Sequence, residues 1–221
     1  MCQDVIMAGA TIAQQQPQSR DLFMARSPAQ PFSQHAVSAP LLQAGQTILV
    51  TGPARSGKSG WAESLAARSP HPVTYIATAR PLPDDAEWTQ RIQQHRDRRP
   101  PHWLTREVPE ALTASLDTAQ ANQCLLIDSL GTWVANGIEQ PEEDWQTEAQ
   151  ALTAAIARCA ALVILVAEET GWGVVPAYAL GRRFRDRLGQ LSQTIGSQAD
   201  AVYLVTAGHA LPLHQLGIPL A

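Results

Sequence analysis

Cysteine, aromatic and charged residues are all scarce in this chain of 221 residues. Only three residues are cysteine, aromatic residues make up 5% and charged residues 16%. The number of cysteines is odd and none forms a Cys-x-x-Cys pair, which argues against a disulfide framework. We expect Cys124 and Cys159 to be buried, reduced thiols, as is typical of cytoplasmic proteins.

Long apolar runs and uninterrupted basic runs are also missing. No segment reaches the ~18 apolar residues that a membrane-spanning helix needs, and the first residues lack the basic and apolar regions of a secretory signal. The formal net charge is −4 at pH 7. The sequence has no basic run of the kind that would indicate a nucleic-acid partner. The sequence predicts a cytoplasmic protein without a membrane span and without a nucleic-acid partner.

The first part of the chain differs in composition from the rest. Residues 1–46 are rich in Gln, Ala, Ser and Pro and show no sustained hydrophobic period. Such a segment cannot bury enough apolar surface to offset the entropy lost on ordering. We therefore predict a flexible N-terminal extension over residues 1–46 and a single domain over residues 47–221.

From residue 47 onward, short apolar strands alternate with helical segments. Strands that are apolar on both faces and alternate with helices are typical of a parallel sheet covered by helices. We predict an α/β fold with a mostly parallel sheet, whose chemistry lies at the carboxyl ends of the strands. The predicted strands are 47–52, 72–79, 124–130, 161–169 and 201–208, and the predicted helices are 56–69, 84–96, 142–159 and 180–199.

A phosphate-binding loop is the most specific motif. Residues 52–59 match G-x-x-x-x-G-K-[ST] without a mismatch, between a predicted strand and a predicted helix. In that context, backbone N–H groups and the helix dipole bind phosphate oxygens, the lysine reaches the β- and γ-phosphates, and the last hydroxyl binds Mg²⁺. The fold is thus predicted to be of the P-loop NTPase type, with eight nucleotide-binding residues: Gly52, Pro53, Ala54, Arg55, Ser56, Gly57, Lys58 and Ser59.

An acidic residue at the end of a neighbouring strand is expected to complete the Mg²⁺ site begun by Ser59. Asp128 follows an apolar run and is the first candidate, and Glu169 is the second. The structural alternative for Asp128 is that it caps the helix that follows.

One histidine lies among four arginines, at positions 91, 96, 98 and 99. Neighbouring positive charges favour the neutral form of His95, and a neutral imidazole can attack phosphorus. Arginines also bind the phosphates of a nucleotide. The alternative for His95 is a solvated position on a helix.

Two further segments are not needed by a generic P-loop protein. Residues 168–176 contain two glycines and a proline after an apolar strand, which predicts a shaped loop at the active edge. Residues 182–190 place several arginines on a predicted helix, which could face the nucleotide, another subunit or solvent.

Together these segments resemble a known family. ILVTGPARSGKS, YIATAR, RIQQHRDRRPPHW, LLIDSLGTWVAN, the E-x-G-x-G-x-V-P loop, RRFRD and the closing AD-x-V-x-L-V-x-x-G occur in order over residues 48–208. The chain resembles the bifunctional adenosylcobinamide kinase/adenosylcobinamide-phosphate guanylyltransferase family of cobalamin biosynthesis.

The resemblance implies a two-step activity. Such enzymes phosphorylate the hydroxyl of the corrinoid adenosylcobinamide with ATP or GTP, and then transfer GMP from GTP to that phosphate through a guanylyl-histidine. It implies His95 and Lys58 as catalytic residues, Mg²⁺ at Ser59 and Asp128, and a homotrimer. The other nucleotide-binding positions that it implies are Ala77, Thr78, Ala79, Arg96, Asp97, Arg98, Arg99, Glu107 and Asp128.

The chain departs from the family pattern at three places. Pro53 replaces a second glycine, Glu168-Glu169-Thr170-Gly171 replaces Asn-Glu-Val-Gly, and Ser192-Gln193 replaces Asn-Gln. Two alternative functions therefore stay open at this point. One is a small-molecule kinase without guanylyl transfer, and the other is a non-catalytic nucleotide-binding module.

Overall fold

The computed structural model describes residues 42–80, 90, 92–93, 96–97 and 99–220. Within this part, an α/β fold with a seven-stranded sheet is present. The predicted helix over 84–96 falls mainly outside the described residues, but residues 90, 92–93 and 96–97 are helical. The strands are β1 (Thr47–Gly52), β2 (Val73–Ala77), β3 (Leu104–Glu107), β4 (Cys124–Asp128), β5 (Leu162–Glu168), β6 (Ala201–Thr206) and β7 (His209–Pro212).

Six further segments of the described chain are helical. They are α1 (Lys58–Ala67), α2 (Leu112–Asp117), α3 (Leu130–Asn136), α4 (Glu142–Arg158), α5 (Ala179–Gln198) and α6 (Leu213–Leu216). None of the described helices is long and apolar enough to cross a membrane.

The sheet has the strand order β3-β2-β4-β5-β1-β6-β7. All neighbouring pairs are parallel except β6 and β7, which form an antiparallel hairpin at one edge. The predicted α/β fold with a mostly parallel sheet flanked by helices is confirmed. The carboxyl ends of β1, β5, β4, β2 and β3 lie side by side, because Gly52 pairs with Glu168 and Ala77 pairs with both Asp128 and Glu107.

Two apolar clusters cover the two faces of the sheet. Alternate residues of a strand point to opposite faces, so Leu49 packs with helices α2–α5 and Ile48 packs with α1. Both residues are almost fully buried, and each such burial contributes about 1.5–3 kcal/mol. The double burial explains why the central strands are apolar throughout.

Several predicted boundaries were wrong, and several elements were not predicted. The strand predicted over 124–130 ends at Asp128, because Ser129 begins the cap of α3. β3 and β7 lack the apolar runs that revealed the central strands, and β7 ends at a proline. The short helices α2, α3 and α6 were also missed.

The residues that precede β1 also contact the rest of the described chain. Leu42 is partly buried against the cluster that includes α1, and the Gly45 N–H donates to the Ala161 carbonyl at 3.1 Å. The Val163 N–H donates to the Gln46 carbonyl at 2.8 Å. Residues 42–46 are therefore attached to the beginning of β5.

Candidate active site

The phosphate loop turns sharply between β1 and α1. Arg55 and Gly57 both have positive φ values, 59° and 95°. Among the residues that the structure describes, no side chain caps the N-terminus of α1 at Gly57, and the first turn of this helix contains no acidic residue. The N–H groups of this turn are consequently available to an anion, which the positive end of the helix dipole also attracts.

Gly52 allows the loop to lie close to β6. A Cβ atom at this position would overlap the carbonyl oxygen of Val205 and approach the hydroxyl of Ser56. The neighbouring Pro53 has no N–H to donate to a phosphate, but its carbonyl is the acceptor for the Ser56 N–H at 3.3 Å. Proline at this position is thus accommodated within the turn.

Lys58 is buried although it is charged. Its side chain is only 6% exposed, and its Nζ donates to the Pro53 carbonyl at 3.4 Å. An ammonium group held beneath the loop in this way lies within the same turn as the N–H groups of α1. The arrangement concentrates positive charge where the sequence predicts phosphate.

Ser59 and Asp128 meet at the carboxyl edge of the sheet. The Ser59 hydroxyl is 3.4 Å from Asp128 Oδ1, and the hydroxyl of Tyr75 donates to Asp128 Oδ2 at 2.8 Å. Hydroxyl and carboxylate oxygens are the ligands that Mg²⁺ prefers beside nucleotide phosphates, so these two residues fit the predicted metal. Among the described residues, no cluster of three or more His, Cys, Asp or Glu side chains could hold a metal alone.

The alternative in which Asp128 caps the following helix is wrong. Ser129 is the N-cap of α3, and with Thr132 it forms a capping box. Asp128 instead lies one residue earlier, at the end of β4, where it faces Ser59.

Tyr75 is a site residue that the sequence analysis missed. The guanidinium carbon of Arg99 lies 3.4 Å from the centre of the Tyr75 ring, and Arg99 also donates to the Thr105 hydroxyl at 3.3 Å. Burial, and then the nearby negative charge of Asp128, raise the pKa of Tyr75 above its ordinary value. The hydroxyl therefore keeps its proton and remains a donor to Asp128.

Glu168, at the end of β5, is engaged with the first turn of α3. Its carboxylate accepts hydrogen bonds from the Ser129 hydroxyl at 2.7 Å and from the Gly131 N–H at 3.0 Å. Burial raises the pKa of this carboxyl above its ordinary range, although the Ser129 hydrogen bond acts in the opposite direction. At this departure from the family pattern, Glu168 connects the end of β5 to the first turn of α3.

Glu169 lies on the side of the sheet covered by α5. It accepts a hydrogen bond from the Thr51 hydroxyl at 2.7 Å, and its N–H donates to the Gly52 carbonyl at 2.9 Å. Thr51 and Glu169 line a cavity of about 280 Å³, together with Ser192 and Gln193. The second candidate for the metal site therefore faces this cavity.

The segment after β2 contributes mainly to the fold. The Thr78 hydroxyl donates to the Ser129 carbonyl at 2.6 Å and accepts from the Ser129 N–H at 2.9 Å. Ala77 pairs with Asp128 in the sheet, and Ala79 is partly exposed. These residues lie next to the metal candidate, and the Thr78 side chain is engaged in holding the turn after β4.

The arginine-rich segment is only partly described. Arg96 and Glu107 form an ion pair at 3.0 Å with both side chains 54% exposed, and Asp97 accepts from Gln93 at 2.6 Å. His95 and Arg98 lie outside the described residues. The role of His95 thus stays a prediction from the sequence.

One arginine of the basic helix has a structural role. Arg187 on α5 is only 4% exposed, and it donates to the carbonyls of Gly137 and Gln140 at 3.1 and 2.9 Å. It also forms an ion pair with Glu142 at 3.1 Å. Arg187 is therefore shielded from solvent and holds the loop between α3 and α4.

Comparison with known families settles the relationship that the loop and its carboxylate suggest. The family described as cobinamide kinase / cobinamide phosphate guanyltransferase matches residues 48–213, which contain every described element apart from the first residue of β1 and the end of α6. The chain belongs to this family.

Its curated relatives in the cobinamide kinase / cobinamide phosphate guanyltransferase family are of similar length to the matched region. The bifunctional adenosylcobalamin biosynthesis protein CobP of Pseudomonas aeruginosa is 44% identical over 168 residues, covering 75% of this chain and 95% of CobP. The proteins named CobU from Salmonella typhimurium and Escherichia coli are 42% and 41% identical over 179 residues, each covering 73% of this chain and 96% of the relative.

Proposed function

We propose that this protein is a bifunctional enzyme of cobalamin biosynthesis. It phosphorylates adenosylcobinamide with ATP or GTP, and then transfers GMP from GTP to the resulting phosphate to give adenosylcobinamide-GDP. The observation that carries the proposal is the uncapped N-terminus of α1 with Lys58 beneath it, opposite Asp128, in a member of the cobinamide kinase / cobinamide phosphate guanyltransferase family.

Both steps require a triphosphate to be held and its negative charge to be neutralised. The N–H groups of the loop bind the phosphate oxygens, and Lys58 approaches the outer phosphates. Ser59 and Asp128 would hold Mg²⁺, which supplies positive charge to the phosphates of the bound nucleotide. The fold holds these groups at the carboxyl edge of the sheet, and donors that are preorganised in this way need little reorganisation during the reaction.

The guanylyl step uses His95 as the nucleophile. A nitrogen of the neutral imidazole forms a bond to the α-phosphorus of GTP while the bond from that phosphorus to the pyrophosphate oxygen breaks, and pyrophosphate leaves. An oxygen of the substrate phosphate then forms a bond to the same phosphorus while the P–N bond breaks, so that the guanylyl group passes to the substrate and the imidazole is regenerated. Because the attack needs a free nitrogen, the step is fastest above the unperturbed imidazole pKa of ~6.5.

The histidine intermediate can be tested directly. Incubation with GTP labelled at the α-phosphate, followed by denaturation, is expected to leave label on the wild-type chain as an acid-labile, base-stable phosphoramidate. His95→Ala should lose the label, and the exposed His102, changed to alanine, should keep it. Equal labelling of His95→Ala and wild type would disprove the role of His95.

The kinase step needs a separate measurement. Label from the γ-phosphate of ATP or GTP should appear on adenosylcobinamide, and His95→Ala should retain this transfer because the hydroxyl attacks the γ-phosphorus without a protein intermediate. Transfer of γ-label by a wild-type protein that never takes up α-label would instead favour a kinase without guanylyl activity. Binding of nucleotide without transfer of either label would indicate a non-catalytic module.

We also propose that the enzyme is a cytoplasmic homotrimer. An exposed apolar segment supports self-association, because Trp172, Val174 and Tyr178 are 62%, 94% and 83% exposed and lie between β5 and α5. Concentrations of exposed apolar side chains commonly mark interaction surfaces. Light scattering coupled to size-exclusion chromatography should give three times the mass of the chain, and a monomeric mass would contradict the proposal.

A further inference from the structure

Four side chains connect the arginine-rich segment to the phosphate loop. Arg99 stacks on the ring of Tyr75, the Tyr75 hydroxyl donates to Asp128 Oδ2 at 2.8 Å, and Asp128 Oδ1 is 3.4 Å from the Ser59 hydroxyl. The two oxygens of Asp128 therefore have different neighbours. A rotation of the carboxylate would break the hydrogen bond to Tyr75.

The position of the Tyr75 ring is itself fixed on several sides. Tyr75 is 2% exposed, in the middle of β2, between Leu126 of β4 and Thr105 of β3 in the sheet register. Arg99 covers the ring, and its guanidinium donates to the Thr105 hydroxyl at 3.3 Å. A planar guanidinium is suited to this combination of stacking and hydrogen bonding, whereas a lysine ammonium is not.

A purely apolar role does not account for this arrangement. Phenylalanine would fill the same space in β2, but it has no hydroxyl to direct at Asp128. Tyr203, another buried strand tyrosine, provides the contrast, because its hydroxyl has no hydrogen-bond partner among the residues that the structure describes. The Tyr75 hydroxyl is distinguished by its contact with the metal candidate.

We propose that Tyr75 and Arg99 are positioning residues, which orient the Asp128 carboxylate toward Ser59 for binding of the metal–nucleotide complex. The proposal rests on the proposed function, since it takes Asp128 as a metal ligand. Arg99 thereby acts through Tyr75, whereas the family resemblance had placed it at the nucleotide. Partners of a metal ligand in this position typically change metal affinity 10–100-fold when they are removed.

Direct metal binding gives a test that does not depend on turnover. Mn²⁺ binding to the protein in complex with a non-hydrolysable GTP analogue can be followed by electron paramagnetic resonance of the free ion. Tyr75→Phe and Arg99→Gln should each raise the Mn²⁺ dissociation constant roughly ten-fold, while nucleotide affinity in EDTA stays at the wild-type value. Tyr203→Phe should bind Mn²⁺ as wild type does, and Arg99→Lys should resemble Arg99→Gln because it loses the planar stack.

Kinetics and folding complete the experiment. In the γ-label assay, Tyr75→Phe should raise the half-saturating Mg²⁺ concentration by the same factor and approach the wild-type rate at saturating Mg²⁺. Thermal melting shows whether Tyr75→Phe has lost its fold. If it has, Mn²⁺ binding by Arg99→Gln and Arg99→Lys provides the test instead.

The inference and the proposed function can fail separately. If the wild type transfers label and Tyr75→Phe binds Mn²⁺ as tightly as Tyr203→Phe, the positioning role is disproved. If the wild type transfers no label from either phosphate, while Tyr75→Phe still weakens Mn²⁺ binding, the proposed function fails and the role of Tyr75 at the metal site stands.

Discussion

Gly52 is the point at which the phosphate loop comes closest to the rest of the sheet. Changing Gly52 to alanine should destabilise the protein by about 1–3 kcal/mol, because the new methyl group meets the Val205 carbonyl and must displace backbone. The same displacement should weaken nucleotide binding. Urea denaturation and titration with a fluorescent GTP analogue measure the two effects.

Gly60 provides the matched control in the same segment. A Cβ there meets nothing within 4 Å, and the residue lies inside α1. Gly60→Ala should therefore raise the free energy of unfolding by about 0.5–1 kcal/mol. Equal stability of the two variants would show that the close approach at Gly52 is unimportant.

The buried carboxyl of Glu168 should make stability depend on pH. Since burial raises its pKa in the folded state, the stability that this group contributes is fully present below its unfolded pKa of ~4.3 and is lost as pH rises through the higher folded pKa. Glu168→Gln has no proton to lose. The free energy of unfolding of the variant should thus improve relative to wild type as pH rises from about 4 to about 8.

Urea denaturation at several pH values measures this difference. The exposed Glu139, changed to glutamine, is the control and should follow the wild-type pH dependence. A constant difference between Glu168→Gln and wild type over the whole range would contradict the assigned burial effect.

Among the elements, α3 depends on one side chain. Ser129 accepts from the Thr132 N–H as the N-cap and donates to the buried carboxylate of Glu168. Ser129→Ala removes both interactions and should cost about 2 kcal/mol, the upper end for a lost N-cap. Ser197→Ala removes an exposed helical hydroxyl and should stay within about 0.5 kcal/mol of wild type. Matching losses for both variants in urea denaturation would rule out a special role for this cap.

The elements that could be predicted from the sequence are those that repeat one pattern over enough residues. β1 and β5 are buried on both faces, so their apolar runs marked them within one residue of their ends. β3 has only four residues, and none of them is buried, so no apolar run signals it. α3 was missed because Leu130 continues the apolar run of β4, although Ser129 was available as a capping signal.

Some residues of the candidate site could likewise be predicted from local sequence, whereas others depend on contacts between distant segments. The positions of the phosphate loop and of Asp128 in the fold could be predicted, because local sequence order brings each to the carboxyl end of a strand. Tyr75 could not, because its hydroxyl meets Asp128 only through the pairing of β2 with β4. The hydrogen-bond partners of Glu168 likewise depend on where α3 begins, which the sequence analysis did not predict.

At the scale of the whole molecule, residues 42–46 pack next to the beginning of β5 and are expected to contribute to the stability of the domain. A chain that starts at residue 42 should unfold at the same urea concentration as the full chain, since residues 1–41 are predicted to bury little apolar surface. A chain that starts at residue 47 loses the Leu42 packing and the hydrogen bonds of Gly45 and Gln46 to β5. It should be less stable by about 1–3 kcal/mol.

Comparison of the two shortened chains with the full chain by urea denaturation checks both statements. A loss of stability already on removal of residues 1–41 would show that the extension contributes to the fold. Equal stability of all three chains would show that residues 42–46 do not.

The strand order also fixes a distance and a local charge balance. β5 separates β1 from β4, so the backbones at Gly52 and at Asp128 lie about 10 Å apart, two strand spacings. A phosphate that touches both sides must pass above the end of β5, where Glu168 is located. The carboxylate of Glu168 accepts from the Ser129 hydroxyl and the Gly131 N–H, and these two donors partly compensate its negative charge. A phosphate placed above this strand would therefore meet less repulsion from Glu168 than from a carboxylate without such donors.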